Sequence, residues 1–218
     1  MEHELIRVSD AEALADQASE LVAARAREAV RDHGRFRFAA SGGKTPWTMF
    51  TRLAELEMPW EAVEIFQVDE RVAPDGDPDR NLTHLRDVLG HLPVTLHPMA
   101  VTASDLNAAA AAYARGLPDR FDLVHLGLGP DGHTASLVPG DPVLEVTDHL
   151  VALTGAYQGH QRMTLTYPAL ARADELLWLV SGRDKKAALA KLIAGDRAIP
   201  ASAVQARRST IIADGSTI

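Results

Sequence analysis

The sequence predicts an α/β fold with a mainly parallel sheet flanked by helices, and three observations support it. Short apolar runs alternate with stretches of helical periodicity along the chain. No internal repeat, low-complexity tail or linker interrupts that alternation across the 218 residues, so a single domain spanning 1–218 is expected. Three polar clusters, Ser41–Thr45, Asp69–Arg71 and Gly127–His133, each follow an apolar run. Those positions are the carboxyl ends of strands, where ligands of such sheets gather.

The elements follow in order. Ser9-Asp10-Ala11-Glu12 is a capping-box pattern, with Ser9 as N-cap and Glu12 reaching back. Apolar residues then recur at helical spacing through Leu14, Ala18, Leu21, Val22 and Ala29, and Gly34 supplies the stop. A strand over Arg35–Ala40 leads into Ser41-Gly42-Gly43-Lys44-Thr45-Pro46, and Pro46 suits the first turn of a helix through Leu56. Val63–Val68 reads as a strand, and Val72–Arg80 as a loop rich in breakers. Asn81–Leu89 and Ser104–Leu117 read as helices, and Phe121–Leu126 as a buried strand. Further strands are expected near Leu150–Leu153, Met163–Thr166, Leu176–Val180 and Thr210–Ala213, and helices over Lys185–Ala194 and Ala201–Ala206.

Composition narrows the function classes. A formal net charge of −8 argues against nucleic acid or an anionic membrane as partner, while leaving room for a small anion held by a few local cations. With no cysteine there is no disulfide framework, thiol nucleophile or cysteine-ligated metal. The acidic start Met1-Glu2-His3-Glu4 is not a signal peptide, and no apolar run has the length of a membrane span. A cytoplasmic protein is expected.

The stretch Gly127–Gly140 admits two readings. Gly127, Gly129 and Gly132 spell G-x-G-x-x-G, as in a dinucleotide-binding turn. Against that, Pro139-Gly140 follows too soon for a crossover helix, Asp131 would set a negative charge in the phosphate cradle, and Asp148 precedes rather than follows the next strand. The other reading makes His133 a general base projecting from the start of a short helix, its neutral form favoured by the helix dipole, with Thr134 and Ser136 as caps. The bland alternative is a histidine that only caps the turn. The position beyond a strand end favours the base.

Gly127-x-Gly129-Pro130-Asp131-Gly132-His133-Thr134-Ala135-Ser136-Leu137 with Pro139-Gly140 closely resembles the signature of 6-phosphogluconolactonases. Ser41-Gly42-Gly43-x-Thr45-Pro46, Val68-Asp69-Glu70-Arg71, Arg162–Thr166, Gly182-x-x-Lys185 and Pro200-Ala201-Ser202 resemble the family's other blocks, in the same order and over nearly the whole chain. The resemblance implies a Rossmann-like, sugar-phosphate-isomerase type of fold. It implies hydrolysis of 6-phosphoglucono-1,5-lactone in the oxidative pentose phosphate pathway, with no metal and no organic cofactor.

By that resemblance, His133, Asp69 and Arg71 are the catalytic candidates. Ser41, Gly42, Gly43, Lys44, Thr45, Asn81, Gly129, Asp131, Gly132, Arg162 and Lys185 are the substrate and phosphate candidates. The 41–45 turn offers free N–H groups at a helix start, which suit an anion, although an ordinary βα turn reads the same way. Arg71 and Lys185 are placed nearest the phosphate or lactone oxygens. Arg162 is the weaker candidate, since an arginine at a strand start is often a surface residue. Asp69 is expected to orient Arg71 or His133, and Asn81 to bond the sugar or cap its helix. Three positions depart from the family's pattern: Lys44 replaces a small residue, Arg80 a serine, and Ala171 an asparagine that would give a supporting hydrogen bond. No G-x-S-x-G elbow or H-E-x-x-H motif occurs.

Two rivals remain at this point. An amino-sugar-phosphate isomerase/deaminase shares the Asp-Gly-His block but continues differently after the histidine. A non-catalytic sugar-phosphate sensor would need a DNA-binding segment that the chain lacks room for. The partner expected in every case is a small sugar phosphate, bound by a monomer or small homo-oligomer.

Overall fold

The computed structural model describes residues 2–217. In chain order the elements are β1 (Glu4–Val8), α1 (Ala11–His33), β2 (Phe36–Ala40), α2 (Lys44–Ala54), β3 (Val63–Gln67), β4 (Asp69–Arg71), α3 (Asn81–Leu89) and β5 (Thr95–His97). There follow α4 (Leu106–Gly116), β6 (Phe121–Gly127), β7 (Val151–Leu153), β8 (Arg162–Leu165), α5 (Tyr167–Leu170), β9 (Ala173–Val180), α6 (Lys186–Ala194) and β10 (Arg208–Asp214). Seven strands pair parallel in the order β1-β10-β9-β6-β2-β3-β5, and β4-β8-β7 form a small antiparallel sheet.

The central strands are apolar on both faces because both faces are covered. Along β6, Leu123 joins one core and Val124 the other; along β9, Leu177 and Leu179 alternate with Leu176 and Trp178 in the same way. One core is closed by α1, α2 and α3, the other by α4, α6 and the small sheet. Alanines 15, 18, 23, 26 and 29 make up much of the buried face of α1, letting that helix lie close to the sheet.

The order of strands creates the site. From β2 the chain moves outward through β3 to β5, then returns to β6 and moves the other way through β9 and β10. The carboxyl ends of the neighbours β2 and β6 therefore diverge into a crevice.

Several expectations change in detail. Asp10, not Ser9, caps α1: its carboxylate accepts from Ala13 N–H at 2.9 Å, and the Ser9 hydroxyl donates to Asp10. Glu12 pairs with Arg52 instead of closing a capping box. The helix expected over Ala201–Ala206 is only a 3-10 turn, Pro200–Ala203. Its backbone groups are engaged elsewhere: Ala201 N–H donates to Gly132 O, and the Tyr167 hydroxyl to Pro200 O. The short edge strands β1 and β5 and the one-turn α5 were not legible.

α3 begins without a side-chain cap of its own. The carboxylate of Glu70, fully buried, accepts from the N–H groups of Asn81 and Leu82, each at 2.8 Å, and from Gln67 Nε2 and Arg71 N–H. Arg80, also buried, lies 3.5 Å away as its counter-ion. Glu70→Ala should lower the urea midpoint with little change in slope, costing about 3–5 kcal/mol, because a buried cation and several N–H groups lose their acceptor.

Candidate active site

The crevice holds a cavity of ≈ 670 Å³. Its walls come from the β2–α2 turn (Ser41–Pro46), the loop after β6 (Gly127–Pro130, His133, Ala135), the end of β9 (Leu179, Ser181) and Lys185, with Asp69, Arg71, Asn81, Gln158 and Arg162 across from them. The three polar clusters of the sequence thus meet in one space. Asp131 and Gly132 do not line it; they lie behind His133.

The β2–α2 turn is built to approach other groups closely. Gly43 caps α2 in a conformation (φ 134°) open to glycine, and no side chain caps that helix. Pro46 in the first turn brings no N–H, so the amides of Lys44 and Thr45 are the free helical donors. A Cβ on Gly42 would stand 1.8 Å from Asn81 Oδ1, so only glycine fits there. Asn81 Oδ1 accepts from Arg71 Nη1, and its Nδ2 donates to the Asp69 carbonyl at 2.9 Å. Asn81 therefore orients Arg71 and does not cap its helix, a role Glu70 has taken.

Asp69 orients neither Arg71 nor His133 directly. Its carboxylate accepts from Ser136 Oγ at 2.6 Å and Asn81 Nδ2 at 3.3 Å, and lies 4.0 Å from Arg162 Nη1. It reaches Arg71 only through Asn81. Arg162 is no surface residue: it is 4% exposed, and burial, with Arg71 nearby, pushes its guanidinium below its ordinary range despite Asp69. Among the described residues, neither Lys44 nor Arg71 has a carboxylate within ion-pair distance, while Lys185 stands 3.6 Å from Asp184. The cavity is cationic although the chain is acidic.

No helix starts at His133. The segment is a series of turns with a Thr134–Leu137 bridge and Ala135 at φ 50°. The Thr134 hydroxyl donates to Gly127 O and Ser136 to Asp69, so neither is a cap. A helix dipole therefore has no part here. Instead Asp131 Oδ1 lies 2.6 Å from His133 Nδ1 and accepts from His133 N–H at 3.1 Å. Partial burial pushes the Asp131 carboxyl up, but these bonds and the imidazole outweigh it and hold the group below its ordinary range. An ionised Asp131 fixes the proton on Nδ1 and leaves Nε2 with the lone pair. The ring lies over Gly129, where a Cβ would come within 2.0 Å of Nδ1. Gly132, at φ 83°, packs against Ile199 at a distance that also excludes a Cβ.

Five contributors were not found by sequence reasoning. Glu70 and Ser136 stood inside recognised motifs with no signal of their roles. Tyr157 and Gln158 lie in a segment whose one cue, Gln158-Gly159, points to a turn and not to a site. His125, on β6 beneath the cavity, is fully buried, accepts from Ser41 N–H through Nδ1 at 3.3 Å, and is pushed down to about 3 by burial. The unfolded chain therefore binds a proton that the folded chain refuses, so His125 lowers stability as pH falls from about 6.5 toward about 3. Its imidazole resonances should stay those of a neutral Nε2–H ring between about pH 7 and about pH 5, where exposed histidines titrate. A titrating His125 would contradict the observed bond to Ser41.

Comparison with known proteins identifies the family. The family model described as glucosamine-6-phosphate isomerases/6-phosphogluconolactonase matches residues 9–213. A 6-phosphogluconolactonase of Synechocystis is 35% identical over 195 residues, covering 83% of this chain and 81% of the relative. One from Nostoc is 31% identical over 213 residues, covering 90% and 88%. The crystal structure of a 6-phosphogluconolactonase from Shewanella baltica superposes with a TM-score of 0.89 at 25% identity, covering 98% of both chains. The chain belongs to the glucosamine-6-phosphate isomerase/6-phosphogluconolactonase family.

Proposed function

We propose that this chain hydrolyses 6-phospho-D-glucono-1,5-lactone to 6-phospho-D-gluconate, the lactone-opening step of the oxidative pentose phosphate pathway. The observation that carries the reading is His133 on the wall of the cavity, backed by Asp131 at 2.6 Å, in a space that also presents Lys44, Arg71, Arg162, Lys185 and a free helix start.

The substrate phosphate sits on the β2–α2 turn, where the amides of Lys44 and Thr45 point with the helix dipole and Lys44 and Lys185 add charge. Arg71 and Arg162, one oriented by Asn81 and one set beside Asp69, face the lactone and its oxygens. His133 Nε2 takes a proton from water as the water oxygen bonds to C1. The carbonyl electrons move to the oxygen, which becomes an oxyanion stabilised by a guanidinium and backbone donors. The tetrahedral intermediate collapses by breaking C1–O5, and His133 returns the proton to O5. Asp131 stabilises the transient imidazolium. Among the described residues no helix is long and apolar enough to cross a membrane, and localisation in the cytoplasm is part of this proposal.

The test follows the lactone, generated in situ, by NMR with and without protein. Loss of the 1,5-lactone signal above the spontaneous rate supports the reading. No acceleration, with turnover of glucosamine 6-phosphate instead, would assign the isomerase/deaminase reaction. His133→Gln should lower kcat about 10²–10⁴-fold, and Arg71→Ala should lower kcat/KM about 10–100-fold, the worth of a charged hydrogen bond. Lys44→Ala, exposed and screened, should change KM no more than about threefold.

A further inference from the structure

A hairpin outside the three polar clusters carries one more side chain onto the Asp131–His133 pair. Residues 154–161 join β7 to β8 and fold back at a Tyr157–His160 bridge. Its two central residues, Gln158 and Gly159, take φ 51° and 86°, as a two-residue turn matching strand twist requires. Gln158 is strained there, so the tip needs an anchor. Arg162 provides it from below. Its Nη2 donates to Tyr157 O and Gln158 Oε1, each at 3.3 Å, and its guanidinium lies 5.2 Å from the centre of the Tyr157 ring.

So anchored, Tyr157 meets both members of the pair. Its hydroxyl donates to Asp131 Oδ2 at 3.3 Å and lies 3.4 Å from His133 Nδ1, and the two rings meet edge-to-face with centres 5.3 Å apart. The carboxylate is thereby held at both oxygens: Oδ1 by His133, Oδ2 by the phenol. Asp131 stands on a glycine-flanked turn with 37% of its side chain exposed, so His133 alone would leave one oxygen free to swing.

We propose that Tyr157 is a positioning residue for the reaction, holding Asp131 and His133 in register so that Nδ1 keeps its proton and Nε2 stays the base. The role rests on the reading of His133 as base. The Tyr157 phenol is raised above its ordinary range by partial burial and by the Asp131 charge, so it stays a donor throughout the working pH range. Its bond to Asp131 also draws off part of the carboxylate's charge, which limits how strongly the carboxylate stabilises the imidazolium.

Tyr157→Phe keeps the ring and its contact with Arg162 but removes the donor. It should lower kcat about 3–10-fold, the worth of one long and therefore weak hydrogen bond, with KM within about twofold. The acid limb of the pH profile should move to higher pH, because the carboxylate no longer shares its charge with the phenol. The other charged groups on the cavity, Glu12, Lys44, Asp69, Arg71, Arg162 and Lys185, are untouched by the change. In an Asp131→Asn background, Tyr157→Phe should have less than about a twofold further effect, because the phenol acts through the carboxylate. If Tyr157→Phe leaves kcat and the pH profile unchanged while His133→Gln is inactive, the positioning role is wrong and the function stands. A Tyr157→Phe loss retained in full with Asp131→Asn also overturns it. Full turnover by His133→Gln would remove the base itself, and the role with it.

Discussion

One wall of the site hangs on the buried carboxylate of Glu70. An anion with no solvent exposure is tolerable only where donors surround it, and here the donors are the first amides of α3, the Arg71 amide, the Gln67 side chain and Arg80. Those bonds decide where α3 begins. Where α3 begins decides where Asn81 stands, and Asn81 reaches both the bare backbone of Gly42 and the guanidinium of Arg71. Gln67 carries the order further, since its Oε1 accepts from Met99 N–H at 2.8 Å. Arg71, a cation on the cavity wall, is thus placed by a carboxylate that does not line the cavity.

The opposite wall solves a different problem. An imidazole serving as base must be fixed in tautomer and direction without a helix to present it. Gly129 lets the ring lie against the backbone, Asp131 fixes Nδ1, and the hairpin tip held by Arg162 closes over the pair. Arg162 belongs to both walls, since its other side faces Asp69 and Ser136. The Asp131–His133 pair and the β2–α2 turn therefore share one scaffold at the divergence of β2 and β6.

The strand–helix alternation was legible because both sheet faces are buried, which makes β6 and β9 continuous apolar runs and leaves α1 a clear periodic stripe. The meeting of the three clusters was legible from their positions beyond strand ends. What stayed hidden was whatever depends on a partner distant in sequence. Asp69 looked like a partner for Arg71 or His133 because they are charged, yet it is Ser136, 67 residues on, that bonds it. The helix expected at His133 failed because Thr134 and Ser136 have acceptors elsewhere, and the one at Ala201 failed because Gly132 and Tyr167 take its backbone groups. β1 and β5 are edge strands of five and three residues, too short for a periodic signal.

The hydroxyl inventory of the cavity bears on whether the reaction passes through a covalent intermediate. A serine or threonine nucleophile needs a base within hydrogen-bond reach. Ser136 donates to Asp69 from a fully buried position, and Ser181 donates to Asp214. Ser41 Oγ is buried without a partner among the described residues, and the nearby His125 uses Nδ1 to accept from the Ser41 amide rather than from its hydroxyl. Thr45 and Thr48 line the cavity, yet no histidine or carboxylate among the described residues accepts from them. Among the described residues the hydroxyl in contact with the His133 ring is the Tyr157 phenol, which donates to Asp131 and is pushed away from ionisation. Among the described residues no serine or threonine hydroxyl of the cavity is bonded to a histidine, and with an ester that activated water can attack, the arrangement favours direct hydrolysis. Among the described residues no hydroxyl is bonded to Nε2 of His133, so the direction of the ring comes from its far side, through the contact of Nδ1 with Asp131.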